Sequence, residues 1–169
     1  MGIVSFFKEA GEKLFGHKDV EAVAQAAAAA PDDAAQQARS EESNRVAAEA
    51  IAKYVAAQPL TADGLAIEFD GAKAVVTVAG QAATQEAKEK ILLCCGNVAG
   101  VSDVNDLMTV AEPADESTWV TVARGDTLSA IAKAAYGNAN LYNKIFEANR
   151  PMLSHPDKIY PGQVLRIPA

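Results

Sequence analysis

The last fifty or so residues constrain the fold most, because they read as a closed unit. From Trp119 the chain runs as a short apolar strand, passes Gly125-Asp-Thr-Leu, and continues into Leu128, Ile131, Ala132 and Ala135. That is the i, i+3, i+4, i+7 spacing of one helix face. Asp126 or Thr127 is placed to cap this helix, and Gly137 to end it. Leu141, Ile145 and Ala148 face inward on a second short helix, which Pro151 stops. The stretch Ile159 to Pro168 (I-Y-P-G-Q-V-L-R-I-P) returns as a strand. A unit this small lies near the lower limit for independent folding, so a docked neighbour is expected.

The neighbour is legible upstream. Val46, Ala50, Ile51 and Tyr54 mark a helix face ending near Pro59. Leu65 to Phe69 and Ala74 to Val78 read as strands around Asp70-Gly71, a tight-hairpin signal whose central residues favour positive φ. Gly80 is expected to end the second strand. Thr84 suits an N-cap and Glu86 the first turn of the next helix. Ala83, Ala87, Ile91 and Cys95 form its face, which stops at Gly96. Val101 to Val110 supplies a third strand, and Ala111 to Ser117 a linker.

These residues carry two resemblances. The G-D-T-L opening and the Y-P-G-Q-x-L-x-I-P close resemble a LysM domain over 118–169. The order helix, strand, strand, helix, strand, with T-x-x-G at Thr77 to Gly80 and G-N-V-x-G-V at Gly96 to Val101, resembles a BON domain over 43–111. Together with the opening F-F-K-E-A-G-E-K-L from Phe6 and the stretch Tyr136 to Asn149, the chain resembles the bacterial potassium-binding BON–LysM proteins. The implied fold is α+β: a BON domain (αββαβ, a three-stranded sheet with two helices) plus a LysM domain (βααβ). A short amphipathic N-terminal helix is expected over 1–16, on Ile3, Phe6, Phe7, Ala10 and Leu14. A partly helical, solvent-exposed alanine-rich insert or linker, cut at Pro31, follows at 17–42, longer than the family pattern, and the inter-domain linker is 112–117.

Charge narrows the partners. Residues 1–116 hold nine Lys/Arg against nineteen Asp/Glu, and residues 117–169 six against three, within a total of −7. An acidic chain of pI 4.8 argues against nucleic acid or an anionic membrane as partner. No stretch has the length of a membrane span. Met1 to Leu14 lacks the pattern of a secretory signal, because Lys8, Glu9, Glu12 and Lys13 interrupt it, so a cytoplasmic protein is expected. Cys94 and Cys95 are adjacent and have no CxxC partner; they read as small apolar filler and fit a reducing compartment. Ser129, Ser154 and His155 make no nucleophile motif, and Gly125-Asp-Thr is no phosphate loop, so an enzyme is not expected.

The family resemblance implies K+ as the ligand, held by backbone oxygens of Phe7, Ala10, Glu12, Gly96, Val98 and Val101. The physics is compatible: potassium suits neutral carbonyl oxygens, and helix C-termini leave such carbonyls free at a partly negative end. The LysM resemblance implies an alternative, a groove for N-acetylglucosamine polymers between Gly125, Asp126, Thr127 and Leu128 and the loop Asn149, Arg150, Pro151 and Met152. That groove contains no aromatic platform. The expected protein is a monomeric ion sensor whose LysM half docks in an ion-dependent way. A peptidoglycan-binding cell-wall module and a protein–protein adaptor remain the alternatives.

Overall fold

The computed structural model describes residues 2–5 and 34–169. Among these, two units of mixed helix and strand follow one another, an α+β fold. The first unit comprises β1 (Gly2–Ser5), α1 (Ala34–Ala56), β2 (Ala62–Asp70), β3 (Val75–Thr84), α2 (Gln85–Gly96) and β4 (Asp103–Glu112). Its sheet has the order β1-β4-β3-β2. The second unit comprises β5 (Thr118–Thr121), α3 (Leu128–Tyr136), a 3-10 turn (Ala139–Leu141), α4 (Tyr142–Ala148) and β6 (Val164–Ile167), with β5 and β6 paired antiparallel.

Strand β3 pairs antiparallel with β2 and parallel with β4. A parallel pair needs a crossover, and α2 supplies it. Period-two alternation decides the buried face: Val76, Val78, Ala82, Val104 and Met108 point at the helices, while Thr77, Asn105 and Leu107 lie on the opposite side. Helix α1 covers this face with Ala47, Ala48, Ile51 and Val55. Lys88 ties α2 to β4 through Asp106 at 2.7 Å and the Met108 carbonyl at 3.1 Å.

Several sequence expectations are corrected here. Residues 2–5 are not helical: β1 pairs antiparallel with β4, Gly2 opposite Asp106 and Ser5 opposite Asp103, so the sheet has four strands rather than three. The rest of the expected N-terminal helix, from Phe6, lies outside the described residues. The alanine-rich stretch, by contrast, is helical from Ala34 as its partly helical reading expects, because Ala, Gln and Arg favour helix and extend the packed half of α1. Val46 is exposed, and Ala47 takes its place in the core. The hairpin is a four-residue loop, with Asp70 paired to Val75 and positive φ at Ala74. Asp70 Oδ1 accepts from the Lys73 N–H, and Asn44 Oδ1 accepts from the Gly71 N–H; these bonds replace the tight turn. Gly80 does not end β3 but sits inside it at φ +137°, where β2 shifts register between Asp63 and Ala66. A Cβ there would come within 3.1 Å of the Asp63 carbonyl oxygen.

The second unit closes around Val122, Leu128, Ile131, Ala132, Ile145, Leu153, Leu165 and Ile167. Thr127 is the N-cap of α3, its hydroxyl accepting from the Ala130 N–H, and Gly137 ends the helix at φ +72°. Asp126 accepts from the Ala123 N–H and so shapes the preceding turn. Ala135 and Leu141 are exposed, against expectation.

Candidate functional site

Helix α2 is buried on more than one side. From Ile91 to Val98 every residue is buried, which is why Ile91-Leu-Leu-Cys-Cys shows no polar face. One side lies on the four-stranded sheet and the other meets β6 of the second unit. All four residues of β6 are buried, and they alternate. Leu165 and Ile167 enter the core of their own unit. Val164 joins the core of the first unit, accompanied by Met152 and Trp119, and Arg166 reaches Glu89 on α2.

That last contact is a buried ion pair. Arg166 Nε donates to Glu89 Oε2 at 2.6 Å. Glu89 Oε1 accepts from Gln85 Nε2 and from the Ser117 N–H, both at 2.9 Å. Burial by itself would raise the Glu89 carboxyl; the hydrogen bonds from Gln85, Ser117 and Arg166 outweigh it and hold the group below its usual range. A buried carboxylate with every oxygen satisfied is the form in which such a pair is tolerated. Burial first and the Tyr54 phenol second push up the Tyr160 phenol.

The polar seam continues along the edge of β6 that faces away from β5. Asn97, the C-cap of α2, donates Nδ2–H to the Val164 carbonyl at 3.1 Å, and its Oδ1 accepts from the Val164 N–H at 3.0 Å. Asn149, the C-cap of α4, does the same to Arg166, at 2.7 and 2.8 Å. Each amide also bonds back to its own helix, Asn97 to Leu93 O and Asn149 to Ile145 O. Two helix-ending asparagines thus pair with β6 as a further strand would, and leave that edge no free backbone group at Val164 or Arg166.

Gly96 is the last residue of α2, and Val98 and Val101 lie on the single turn that follows it. Asn97 N bonds to Leu93 O, Val98 N to Cys95 O, and Val101 N to Val98 O. The left-handed residue of this turn is Gly100 at φ +87°, not Gly96. Phe7, Ala10 and Glu12 lie outside the described residues. Strand β1 ends with Ser5 paired to Asp103, two residues from Val101. Among the described residues no cluster of His, Cys, Asp and Glu is arranged to hold a metal ion.

The nominated saccharide groove has a divided fate. Gly125, Thr127 and Arg150 are exposed and Asp126 and Pro151 half-buried, whereas Leu128 lies in the core of the second unit. Asn149 is 1% exposed and committed to Arg166; Met152 is 5% exposed and packed on the first unit. Sequence reasoning missed the Glu89–Arg166 pair and both asparagine clamps. The only available signal was an asparagine four residues beyond a buried leucine or isoleucine at each helix end.

Comparison with known proteins defines the class first. Residues 43–112 match the BON domain family model, and residues 120–168 match the LysM domain model. Over 172 aligned positions the chain is 48% identical to the "Potassium binding protein Kbp" of Escherichia coli, covering 99% of both chains. The chain belongs to the family of that protein. A shorter likeness, 40% identity over 75 residues, links it to an "Uncharacterized protein" of Deinococcus radiodurans, covering 43% of this chain and 29% of that one.

Proposed function

We propose that this chain binds potassium through backbone carbonyls of its BON half, and that the ion favours docking of the LysM half. The ligands would be the carbonyl oxygens of Phe7, Ala10, Glu12, Gly96, Val98 and Val101. The observation that carries this reading is the register of β1 on β4: Ser5 opposite Asp103 brings the chain, two residues before Phe7, to the turn that bears the other three ligands. The end of α2 adds partial negative charge without a competing carboxylate cluster among the described residues. The name of the E. coli relative supports the same ligand. Two buried, unbridged thiols suit a reducing, cytoplasmic setting. The domain limits we propose are those of the sequence reading, 43–111 and 118–169, in a monomer that acts by binding rather than catalysis.

The saccharide reading is weaker, because Asn149 and Met152 already serve the fold and its interface. Co-sedimentation with purified peptidoglycan tests it; retention competed by N-acetylglucosamine oligomers would restore it. For the ion, the test is calorimetry and thermal melting in potassium, sodium or choline chloride at equal concentration. A ligand specific to the folded state adds about 2.7 kcal/mol at one hundred times Kd. Midpoints equal in all three salts would overturn the reading.

A further inference from the structure

Asn97 occupies a position that the ion-binding reading does not use. It stands between two nominated ligands, Gly96 and Val98, yet its side chain leaves the turn and bonds to a strand 67 positions away. It is 6% exposed and makes side-chain bonds to Leu93 O, Val164 O and the Val164 N–H. The peptide unit that carries the Gly96 carbonyl also carries the Asn97 N–H, and that plane is rigid. Anything that orients the Gly96 oxygen therefore orients the start of Asn97.

We propose that Asn97 is the positioning residue that couples the Gly96–Val101 turn to the LysM unit. Its backbone is part of the turn, and its amide clamps Val164 at the head of β6. The inference rests on the ion-binding reading and adds how occupancy is transmitted. Potassium held by the Gly96 and Val98 carbonyls fixes the turn in the arrangement that presents the Asn97 amide to β6. By thermodynamic reciprocity, a docked β6 raises potassium affinity by the same factor. Glu89 on α2 and Arg166 on β6 add adhesion to the same interface, but their contact lies away from the turn and does not sense its conformation directly.

Two amides of β6 give an internal control. The Val164 N–H bonds to Asn97 and the Arg166 N–H to Asn149, at 3.0 and 2.8 Å. Residue-resolved hydrogen exchange of the full chain in potassium chloride and in choline chloride compares them directly. Potassium should slow exchange at Val164 by about fivefold or more, the lower end of ordinary coupling, and leave Arg166 nearly unchanged. Asn97→Ala should abolish the ion dependence at Val164 and weaken potassium binding in calorimetry by the same factor. Val164→Pro provides a second variant that leaves the turn intact. It removes the N–H that donates to Asn97, together with part of the Val164 packing on the first unit, and it does so at the first residue of a strand, where proline is tolerated. It should weaken potassium binding to a similar degree.

Val164 and Arg166 slowing together would overturn the proposal, as would neither slowing while calorimetry records bound potassium. Unchanged potassium affinity in Asn97→Ala or in Val164→Pro would do so equally. If Asn97→Ala does not fold, the exchange comparison on the unaltered chain and the proline variant still decide. A wild-type chain that takes up no potassium sinks the ion-binding reading itself, which is a separate and recognisable failure.

Discussion

Asn97 and Asn149 perform the same chemistry at neighbouring positions of one strand edge, yet they differ in what they hold together. Asn149 and Arg166 are 17 residues apart within the LysM unit; Asn97 and Val164 are 67 apart and belong to different units. The short link closes a small loop inside a core that contains Ile145, Leu165 and Ile167. The long link forms only when two separately built units meet. A bond within a unit is lost only with that unit, whereas a bond between units can open into water, which then satisfies both partners. The same pair of hydrogen bonds therefore serves as scaffold in one place and as contact in the other.

The largest change should come from the ion pair beside the two clamps. Glu89→Ala leaves Arg166 charged and buried without its close partner, with only Glu86 at 3.9 Å remaining, a loss of about 3–5 kcal/mol by denaturant unfolding. A loss near zero would mean that the interface opens readily and Arg166 finds water. The same carboxyl gives the interface a pH dependence. Its folded pKa is lowered, so its contribution is complete above the unfolded value, about 4.3, and is lost as pH falls through the lower folded value. Acid melts of wild type against Glu89→Gln measure this: the variant should lack the wild type's excess loss of stability below about pH 4.

Next in size is the direct contest of clamps. Asn149→Ala strands the N–H and carbonyl of Arg166 inside a core, at about 1–3 kcal/mol for each group. Asn97→Ala strands the same groups of Val164, but separation of the units lets water reach them, so its cost should be smaller. Melts of the two variants in choline chloride make the comparison. Equal losses would show the two units to be one cooperative body.

Glycines sharpen the contrast between the units further. Gly80→Ala meets the β2 backbone at 3.1 Å and needs φ +137°, so it should cost about 1–3 kcal/mol. Gly137→Ala meets nothing within 4 Å and bears only the left-handed penalty, about 1 kcal/mol. Smallest are the helix caps: Thr84→Ala and Thr127→Ala should each lose about 1 kcal/mol, since each hydroxyl accepts one helix N–H. A clear difference between those two would expose an unequal coupling of α2 and α3 to their cores.

Local rules were legible where one element settles its own fate. Thr84, Thr127 and Gly137 acted as caps because each needs only its neighbours along the chain. The core residues Leu128, Ile131, Ala132 and Ile145 followed from helical spacing. Strand β1 was misread because Gly2-Ile-Val-Ser lets either period fit, and an edge strand is made by its partner, here β4. Gly80 looked like a strand end because its real cause, close approach of β2, lies in another strand. The nominated ligands Gly96, Val98 and Val101 came from the family resemblance alone, which did not connect them to β6.

By itself the sequence determined the two units, their element types apart from β1, and most of their caps, because hydrophobic period and capping chemistry act over a few residues. The tertiary structure alone decided that β6 is buried on both faces, that Glu89 is paired with Arg166, and that Asn97 and Asn149 share one strand edge. Those facts rest on backbone N–H and carbonyl groups and on side chains far apart in the chain. Every residue has such backbone groups, so no letter of the sequence announces which of them will meet.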